Sequence, residues 1–290
     1  MSFIAYLIIL FISFFLNLFP RNLSLFFGRI FGLFIYYILP IRKKIALENI
    51  KDNLTEIKTK EQKAILKKTY RHFGMVLTDF LRSKKLNQKN INNIVHVNKK
   101  TKELLNDNPG AIIMTGHLGN WEYFLPTFGL NNFPFSIVAQ KIKNPYLNRL
   151  FLKIRTVKNV EVIFKSDGTK KMLSILKNKI FLGLASDQNA GKKGEKVEFL
   201  NIEASIPKGA AIFHIKTEAP IIIGYCVMNK DLTYNFNAEI LDTTDINFEK
   251  DDVIYRINRK FTISLEQMIK KYPNQYFWFH KMKNKKQYKK

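Results

Sequence analysis

The feature that most constrains the fold is a regular alternation of short apolar runs and amphipathic segments after Pro109-Gly110. The apolar runs have the length and the β-branched and aromatic content of strands. The segments between them carry apolar residues at helical spacing. Strands that alternate with helices are typical of a mostly parallel sheet flanked by helices, so the sequence predicts an α/β fold.

Individual elements follow from the same patterns. The predicted strands are Ala111–Thr115, Phe135–Ala139, Val160–Phe164, Phe181–Ala185, Ile221–Val227 and Tyr234–Leu241. The predicted helices are Trp121–Phe128, Tyr146–Arg155, Thr169–Asn178, Lys208–Thr217 and Val253–Tyr272. Upstream, residues 45–84 show a helical apolar stripe, whereas residues 85–108 are polar and contain one β-like piece at 94–97. We expect residues 45–290 to form a single α/β domain, because no repeat and no long linker interrupts them.

The N-terminus carries no charge between residues 3 and 19. As a helix, this run would be about 25 Å long, at the short end of what crosses a bilayer core. A cleaved signal peptide is the alternative, but no basic region precedes the run and no small-residue cleavage site follows it. The sequence therefore predicts a single-pass membrane anchor over residues 1–20 and an interfacial basic and aromatic segment over residues 21–44.

The 290-residue chain has a formal net charge of +25. Such a charge suits nucleic acid, an anionic membrane surface, or an acidic protein or phosphorylated substrate. The apolar N-terminus favours the membrane surface, and the sequence has no common nucleic-acid-binding signature. Because the neighbouring basic residues all follow the apolar run, the positive-inside bias predicts a body that faces the cytoplasm.

The motif that carries chemistry is His117-Leu118-Gly119-Asn120-Trp121-Glu122, which follows the strand predicted at 111–115. Residues five apart lie about 140° apart on a helix, so the two end residues can meet only where a strand passes through a loop into a helix. In that arrangement, His117 would be the general base and Glu122 would orient its imidazole. The alternative is a histidine that caps a turn and a glutamate that faces solvent.

No protein nucleophile accompanies this pair in the sequence. There is no Gly-x-Ser-x-Gly elbow, and the single cysteine, Cys226, lies in a distant apolar run. No cysteine–histidine cluster indicates a metal site. A base without a protein nucleophile predicts that a substrate hydroxyl attacks, which is group transfer to an alcohol.

This motif resembles that of the glycerolipid acyltransferase superfamily, and its full string is more similar to the lipid A late acyltransferases of lipopolysaccharide biosynthesis. Further blocks that resemble this family follow in order along the chain: Arg42, Ala46 and Asn49; Phe73-Gly74 and Asp79; Asp187-Gln188, Gly194, Phe199 and Lys208-Gly209; Ala219-Pro220; and Tyr276 to Lys283. Lys281 and Met282 depart from the Arg-Arg or Arg-Phe that the family usually has. The resemblance thus covers nearly the whole chain.

The resemblance implies a glycerolipid acyltransferase-like α/β fold with an N-terminal membrane-anchor helix. It implies that His117 is the general base, that Glu122 is its partner, and that Arg155 and Asp187 are further catalytic residues. Arg155 would stabilise an oxyanion or bind a phosphate, and capping of its own helix is the alternative. Asp187 would pair with Arg155, contact sugar hydroxyls, or simply open a loop.

The implied reaction moves a fatty acyl chain from acyl-carrier-protein, or from acyl-CoA, to a hydroxyl of a lipid A precursor at the bacterial inner membrane. The candidate substrate-binding residues are Asn120, Gln188, Lys208 and Arg42. The expected partners are the carrier protein, the glycolipid and an anionic membrane surface, with no nucleic acid, metal or bound cofactor. The alternatives are another glycolipid or phospholipid acceptor, or a non-catalytic membrane-tethered protein that binds lipid.

Overall fold

A seven-stranded sheet forms the centre of the part of the chain that the computed structural model describes, residues 2–282. The strands are β1 Val95–Val97, β2 Ile112–Thr115, β3 Phe135–Ala139, β4 Val160–Phe164, β5 Phe181–Ala185, β6 Glu195–Phe199, β7 Ile202–Ile206, β8 Ile221–Met228 and β9 Tyr234–Ile240. The sheet order is β1-β9-β8-β2-β5-β3-β4, and only β8 and β9 pair antiparallel. Strands β6 and β7 form a separate hairpin.

Helices surround this sheet. They are α1 Ser2–Leu18, α2 Arg21–Tyr37, α3 Lys43–Asn53, α4 Thr59–Leu81, α5 Ile91–Ile94, α6 Lys99–Asp107, α7 Phe124–Leu130, α8 Pro145–Arg155, α9 Gly168–Lys177, α10 Gly209–Thr217 and α11 Val253–Lys271. Short 3₁₀ turns lie at Ser83–Lys85, Trp121–Tyr123, Lys165–Asp167, Gly191–Lys193 and Pro273–Gln275. Lys283 and the rest of the basic tail lie outside the described residues.

The predicted α/β class with a mostly parallel sheet is confirmed. Every residue of β2 and β8 is buried, which is the environment of strands covered by helices on both faces. The bounds of β3, β4 and β5 are those predicted from the sequence. Because parallel neighbours end at the same edge, the sheet sets the loops after β2 and β5 side by side.

Strands β6 and β7 and helices α5 and α6 were not predicted. The hairpin of β6 and β7 turns through Leu200 and Asn201, which both have positive φ (52° and 61°). Positive φ at both central residues is the geometry of a two-residue hairpin turn, but the residues that usually signal it are Asn-Gly or Asp-Gly. Helix α6 lies within residues 85–108, which the sequence analysis describes as polar. Its side chains are mostly exposed, with only Thr101 and Leu105 buried.

Helices α2 and α4 pack backbone to backbone through glycines. A Cβ on Gly28 would lie 2.7 Å from the carbonyl oxygen of Gly74, and a Cβ on Gly74 would overlap the carbonyl oxygen of Gly28. A Cβ on Gly32 would overlap the carbonyl of Tyr70 in the same way. This close approach fixes α2 along α4 and leaves one groove on each flank of the pair.

The N-terminal helix differs from the predicted anchor. Helix α1 is 17 residues long, or about 25 Å, whereas a bilayer core is about 30 Å thick. Among residues 2–282, none of the helices combines the length and the apolar character needed to cross a membrane, so the predicted spanning anchor is unsupported. Ser13 and Asn17 instead donate hydrogen bonds to the carbonyl oxygen of Leu81 (3.0 and 3.2 Å), which ties α1 to the end of α4.

Candidate active site

His117 and Asp187 meet because the two strands before them are parallel neighbours. In the ladder of β2 and β5, Thr115 pairs with Ala185, and each candidate residue comes two positions later. The backbone N–H of Ser186 donates to the carbonyl oxygen of Thr115 (2.8 Å) and continues the ladder into the loops. The sheet register therefore delivers a histidine and a carboxylate to one point.

The carboxylate of Asp187 contacts His117 at two atoms. One oxygen lies 2.6 Å from Nδ1 of the imidazole, and the other accepts the backbone N–H of His117 at 2.8 Å. The side chain of Asp187 is fully buried, whereas that of His117 is 18% exposed. Because an ionised carboxylate can only accept, Nδ1 carries a proton and Nε2 is left as the free base when the ring is neutral.

Both groups titrate as an ion pair does. Burial lowers the pKa of His117, but the charge of Asp187 and its hydrogen bond outweigh burial, so the net pKa lies above the ordinary value. Burial raises the pKa of Asp187, but the charge and hydrogen bond of His117 bring it well below its ordinary value. The arrangement stabilises an imidazolium, which is what a general base needs after it takes a proton.

Glu122 does not hold the imidazole, in contrast to the sequence-based expectation. Its two carboxylate oxygens accept from Nη2 and Nε of Arg155 at 2.6 and 2.9 Å, in a bidentate pair. The physical reason is the 3₁₀ turn Trp121–Tyr123, in which the indole of Trp121 packs against the imidazole with ring centroids 4.8 Å apart. The charge of Glu122 acts at longer range and contributes to the raised pKa of His117.

Arg155 therefore pairs with Glu122 and not with Asp187. It is the last residue of α8, and its side chain is 21% exposed. Burial lowers the pKa of Arg155, but the hydrogen bond and charge of Glu122 outweigh burial and give a net rise. The pair fastens the end of α8 to the turn that follows His117.

The open side of the imidazole faces Gln188 and an aromatic wall. Nε2 of His117 lies 3.3 Å from Nε2 of Gln188. The rings of Trp121 and Phe277 flank the imidazole, and the backbone N–H of Phe277 donates to the carbonyl oxygen of His117 (2.9 Å). Trp121 and Phe277 were not predicted as site residues, although both lie in motifs that the family resemblance covers.

An apolar groove of about 300 Å³ continues from this wall along one flank of the α2–α4 pair. Phe277 is part of its lining and also contacts the imidazole of His117. The other side chains that define this apolar groove include Phe31, Ile35, Tyr70, Phe73, Leu77 and Phe279. A mostly apolar lining of this kind is typical of sites that bind hydrocarbon groups.

Three further candidates lie in less direct positions. Asn120 is fully buried, and its side-chain N–H donates to the hydroxyl of Tyr234 (3.2 Å), so its amide supports the loop from within the core. The guanidinium of Arg42 donates to the carbonyl oxygen of Phe279 (3.0 Å) and lines the apolar groove. Lys208 forms an ion pair with Glu195 (2.9 Å), and within residues 2–282 no contact joins it to the imidazole.

The described residues supply no nucleophile to the base. Cys226 is fully buried, and burial raises the pKa of its thiol, so the thiolate is disfavoured. No hydroxyl or thiol between residues 2 and 282 donates to Nε2 of His117. Nε2 of His117 can thus accept a proton from a hydroxyl of the substrate.

Asp79 links this site to the helices at the N-terminus. Its buried carboxylate accepts from Nε and Nη2 of Arg21 (2.9 and 2.7 Å) and from the hydroxyl of Tyr234 (2.7 Å). The hydroxyl of Tyr234 also accepts a hydrogen bond from the side-chain amide of Asn120. One chain of hydrogen bonds therefore runs from α2 to the motif of His117.

The chain is similar to known acyltransferases. Residues 1–285 match the family model described as bacterial lipid A biosynthesis acyltransferase. The phosphatidylinositol mannoside acyltransferase of Mycolicibacterium smegmatis is 25% identical over 126 residues, which cover 42% of this chain and 41% of that protein. The protein of the same name in Mycobacterium tuberculosis is 24% identical over 121 residues, 40% of this chain and 38% of that protein. The chain thus matches about two fifths of the length of these relatives.

Proposed function

Because the chain belongs to the bacterial lipid A biosynthesis acyltransferase family, we propose that it transfers a fatty acyl chain from acyl-carrier-protein to a hydroxyl of a lipid A precursor. The observation that carries this proposal is the His117–Asp187 pair, whose imidazole lies beside Phe277 of the apolar groove. A base without a protein nucleophile suits direct transfer between two bound substrates. Acyl-CoA is the alternative donor.

In the proposed mechanism, Nε2 of His117 removes the proton of the acceptor hydroxyl as its oxygen attacks the thioester carbonyl carbon. The new C–O bond gives a tetrahedral oxyanion. This intermediate collapses, the C–S bond breaks, and the imidazolium returns the proton to the departing thiolate. Asp187 stabilises the imidazolium throughout, and general-base catalysis of this kind contributes about 10²- to 10⁴-fold in rate.

Glu122 and Arg155 have a supporting part in this proposal. Glu122 occupies Nε and Nη2 of Arg155, which leaves Nη1 to an oxyanion or a substrate phosphate. A fixed guanidinium is an effective donor to such groups because it is preorganised. Asp187 replaces Glu122 as the carboxylate that orients the base.

The apolar surface of α1 and α2 supports a location at the membrane surface. Phe11, Phe14 and Leu18 of α1 are between 63% and 69% exposed, and Phe26 of α2 is 51% exposed. Large contiguous apolar surfaces of this kind mark contact with lipid or protein. We propose that these helices lie on the bacterial inner membrane, with the basic body on the cytoplasmic side.

The lipid A precursor is proposed as the acceptor from the family match, whereas the relatives named above are phosphatidylinositol mannoside acyltransferases. A mannosylated phosphoinositide is therefore the second candidate acceptor. The test is to incubate the purified protein with acyl-carrier-protein thioester and each glycolipid in turn, and to follow acylation by mass spectrometry. Acylation of the lipid A precursor supports the proposal; acylation of the mannoside alone would favour the second candidate, and acylation of neither would count against both.

A further inference from the structure

A second cavity, of about 570 Å³, lies on the other flank of the α2–α4 pair. Helix α4 shows the division clearly, since Lys68 and Arg71 line this cavity whereas Tyr70 and Phe73 line the apolar groove. We call it the basic cavity, defined by Arg29, Lys68, Arg71 and Lys230. The basic cavity has a different chemistry from the apolar groove.

The cations of the basic cavity have no acidic counterpart. No carboxylate lines the cavity, and within residues 2–282 none of its four cations forms an ion pair. Among the described residues, the Nε atom of Arg29 is buried without a hydrogen-bond partner, and its Nη2 lies 4.0 Å from the sulfur of Met75. A buried guanidinium N–H without an acceptor is costly, and four unpaired cations around one cavity favour an anionic ligand.

The rest of the lining combines polar residues, among them His72, Asn229 and Gln275, with three apolar side chains. Met75, Met228 and Leu232 line the cavity beside the cations. On α2, Phe26 and Ile30 lie three residues before and one residue after Arg29, and they are 51% and 47% exposed. A ligand that fits both parts carries a phosphate at one end and hydrocarbon at the other.

From this combination we propose that the basic cavity binds the phosphate headgroup of an anionic glycerophospholipid, whose acyl chains lie along the exposed face of α2. Two residues of the cavity wall also hold the loop of His117. Nε2 of His72 lies 3.4 Å from the carbonyl oxygen of Gly119, and the carbonyl oxygen of Gln275 accepts the N–H of Gly119 at 2.9 Å. The bound lipid therefore sits against the residues that fix this loop, without taking part in the chemistry at His117.

The experiment measures binding of three probes to the purified chain by calorimetry: short-chain phosphatidylglycerol, short-chain phosphatidylcholine and inorganic phosphate. We expect phosphatidylglycerol to bind most tightly. Equal affinity for inorganic phosphate would overturn the assignment to a lipid, and equal affinity for phosphatidylcholine would overturn the requirement for net negative charge.

The variant Arg29→Gln/Arg71→Gln/Lys230→Gln should bind phosphatidylglycerol on the order of 100-fold more weakly, since each cation near an anionic headgroup is worth about a factor of five. The matched control removes three exposed lysines of α9 and α10 instead, in Lys170→Gln/Lys177→Gln/Lys216→Gln, and should bind as the wild type does. Equal binding by the two triple variants would overturn the proposal.

A second variant separates loss of binding from loss of folding, because it changes only exposed residues. Lys68 and Lys230 are both exposed, so Lys68→Gln/Lys230→Gln leaves the core untouched and should still lose about 30-fold in affinity. The variant His117→Ala should bind phosphatidylglycerol as the wild type does, because this proposal does not rest on acyl transfer. Loss of binding in His117→Ala, or full binding in the double lysine variant, would contradict it.

Discussion

The carboxylate of Asp187 holds His117 at two points, at Nδ1 of the imidazole (2.6 Å) and at the backbone N–H (2.8 Å). A double contact fixes both the position and the tautomer of the ring, so that Nε2, which lies 3.3 Å from Nε2 of Gln188, is left as the basic nitrogen. The carboxylate that contacts the imidazole lies in the loop after β5, the strand next to the one that precedes the histidine. It does not come from the acidic residue within the motif.

Replacement of Asp187 tests this relationship. We expect Asp187→Asn to lower kcat on the order of 10²- to 10⁴-fold, because the amide neither fixes the tautomer reliably nor stabilises the imidazolium. Activity needs a neutral imidazole, so it falls as pH falls through the raised pKa of His117. Without the carboxylate that pKa drops, and the acid limb of the pH–kcat profile should move to lower pH. An unmoved limb would contradict the pairing.

The Glu122–Arg155 pair is expected to contribute to stability. Because both side chains are largely buried (12% and 21% exposed), Glu122→Gln or Arg155→Gln alone should lower the free energy of unfolding by about 2 kcal/mol. The double variant should lose less than the sum of the two, since it leaves no unpaired charge. Denaturant unfolding of all four proteins gives the coupling, and strict additivity would show that the bidentate contact does not form.

The glycine contact between α2 and α4 predicts a steric effect. Gly74→Ala places a Cβ against the carbonyl of Gly28, and overpacking of this kind costs about 1 to 3 kcal/mol. Gly209→Ala is the matched control, because its Cβ would meet nothing closer than 3.9 Å. Thermal unfolding should show a lower midpoint for Gly74→Ala alone. Equal midpoints would mean that the two helices are not packed at this distance.

His72 predicts a pH dependence of stability. Burial lowers the pKa of His72 to about 4, although its hydrogen bond to Gly119 opposes the shift. Between pH 6.5 and 4 the unfolded chain takes up a proton that the folded protein does not. Stability therefore falls as pH falls through this window, by about 3 kcal/mol in all. The free energy of unfolding of His72→Gln, measured across the same range, should lack this component, whereas exposed His96→Gln should keep it.

Much of the fold could be predicted from the sequence, because its strands are short, apolar and separated by clear helical patterns. β3, β4 and β5 have the predicted bounds. The hairpin of β6 and β7 was missed because Leu200 and Asn201 adopt positive φ without a glycine. The spanning anchor was predicted from apolar character alone, whereas Ser13 and Asn17 bind the end of α4 and mark a face that packs on protein.

Only part of the site could be predicted from the sequence, because the strand order decides which carboxylate lies next to His117. Asp187 follows shortly after the strand predicted at Phe181–Ala185, but no sequence pattern indicated that β2 and β5 are adjacent. Proximity in the motif therefore favoured Glu122. Strand order is a long-range property, set by how helices cover the sheet, and one sequence carries little local signal for it.

The most direct test of the central claim compares acyl transfer by the wild type, His117→Ala and His96→Ala. Each purified protein is given acyl-carrier-protein thioester and the lipid A precursor, and the acylated product is quantified by mass spectrometry. His96 is exposed on β1 and serves as the matched histidine control. We predict that His117→Ala lowers turnover on the order of 10²- to 10⁴-fold whereas His96→Ala leaves it unchanged. Turnover by His117→Ala at the wild-type rate would contradict the account.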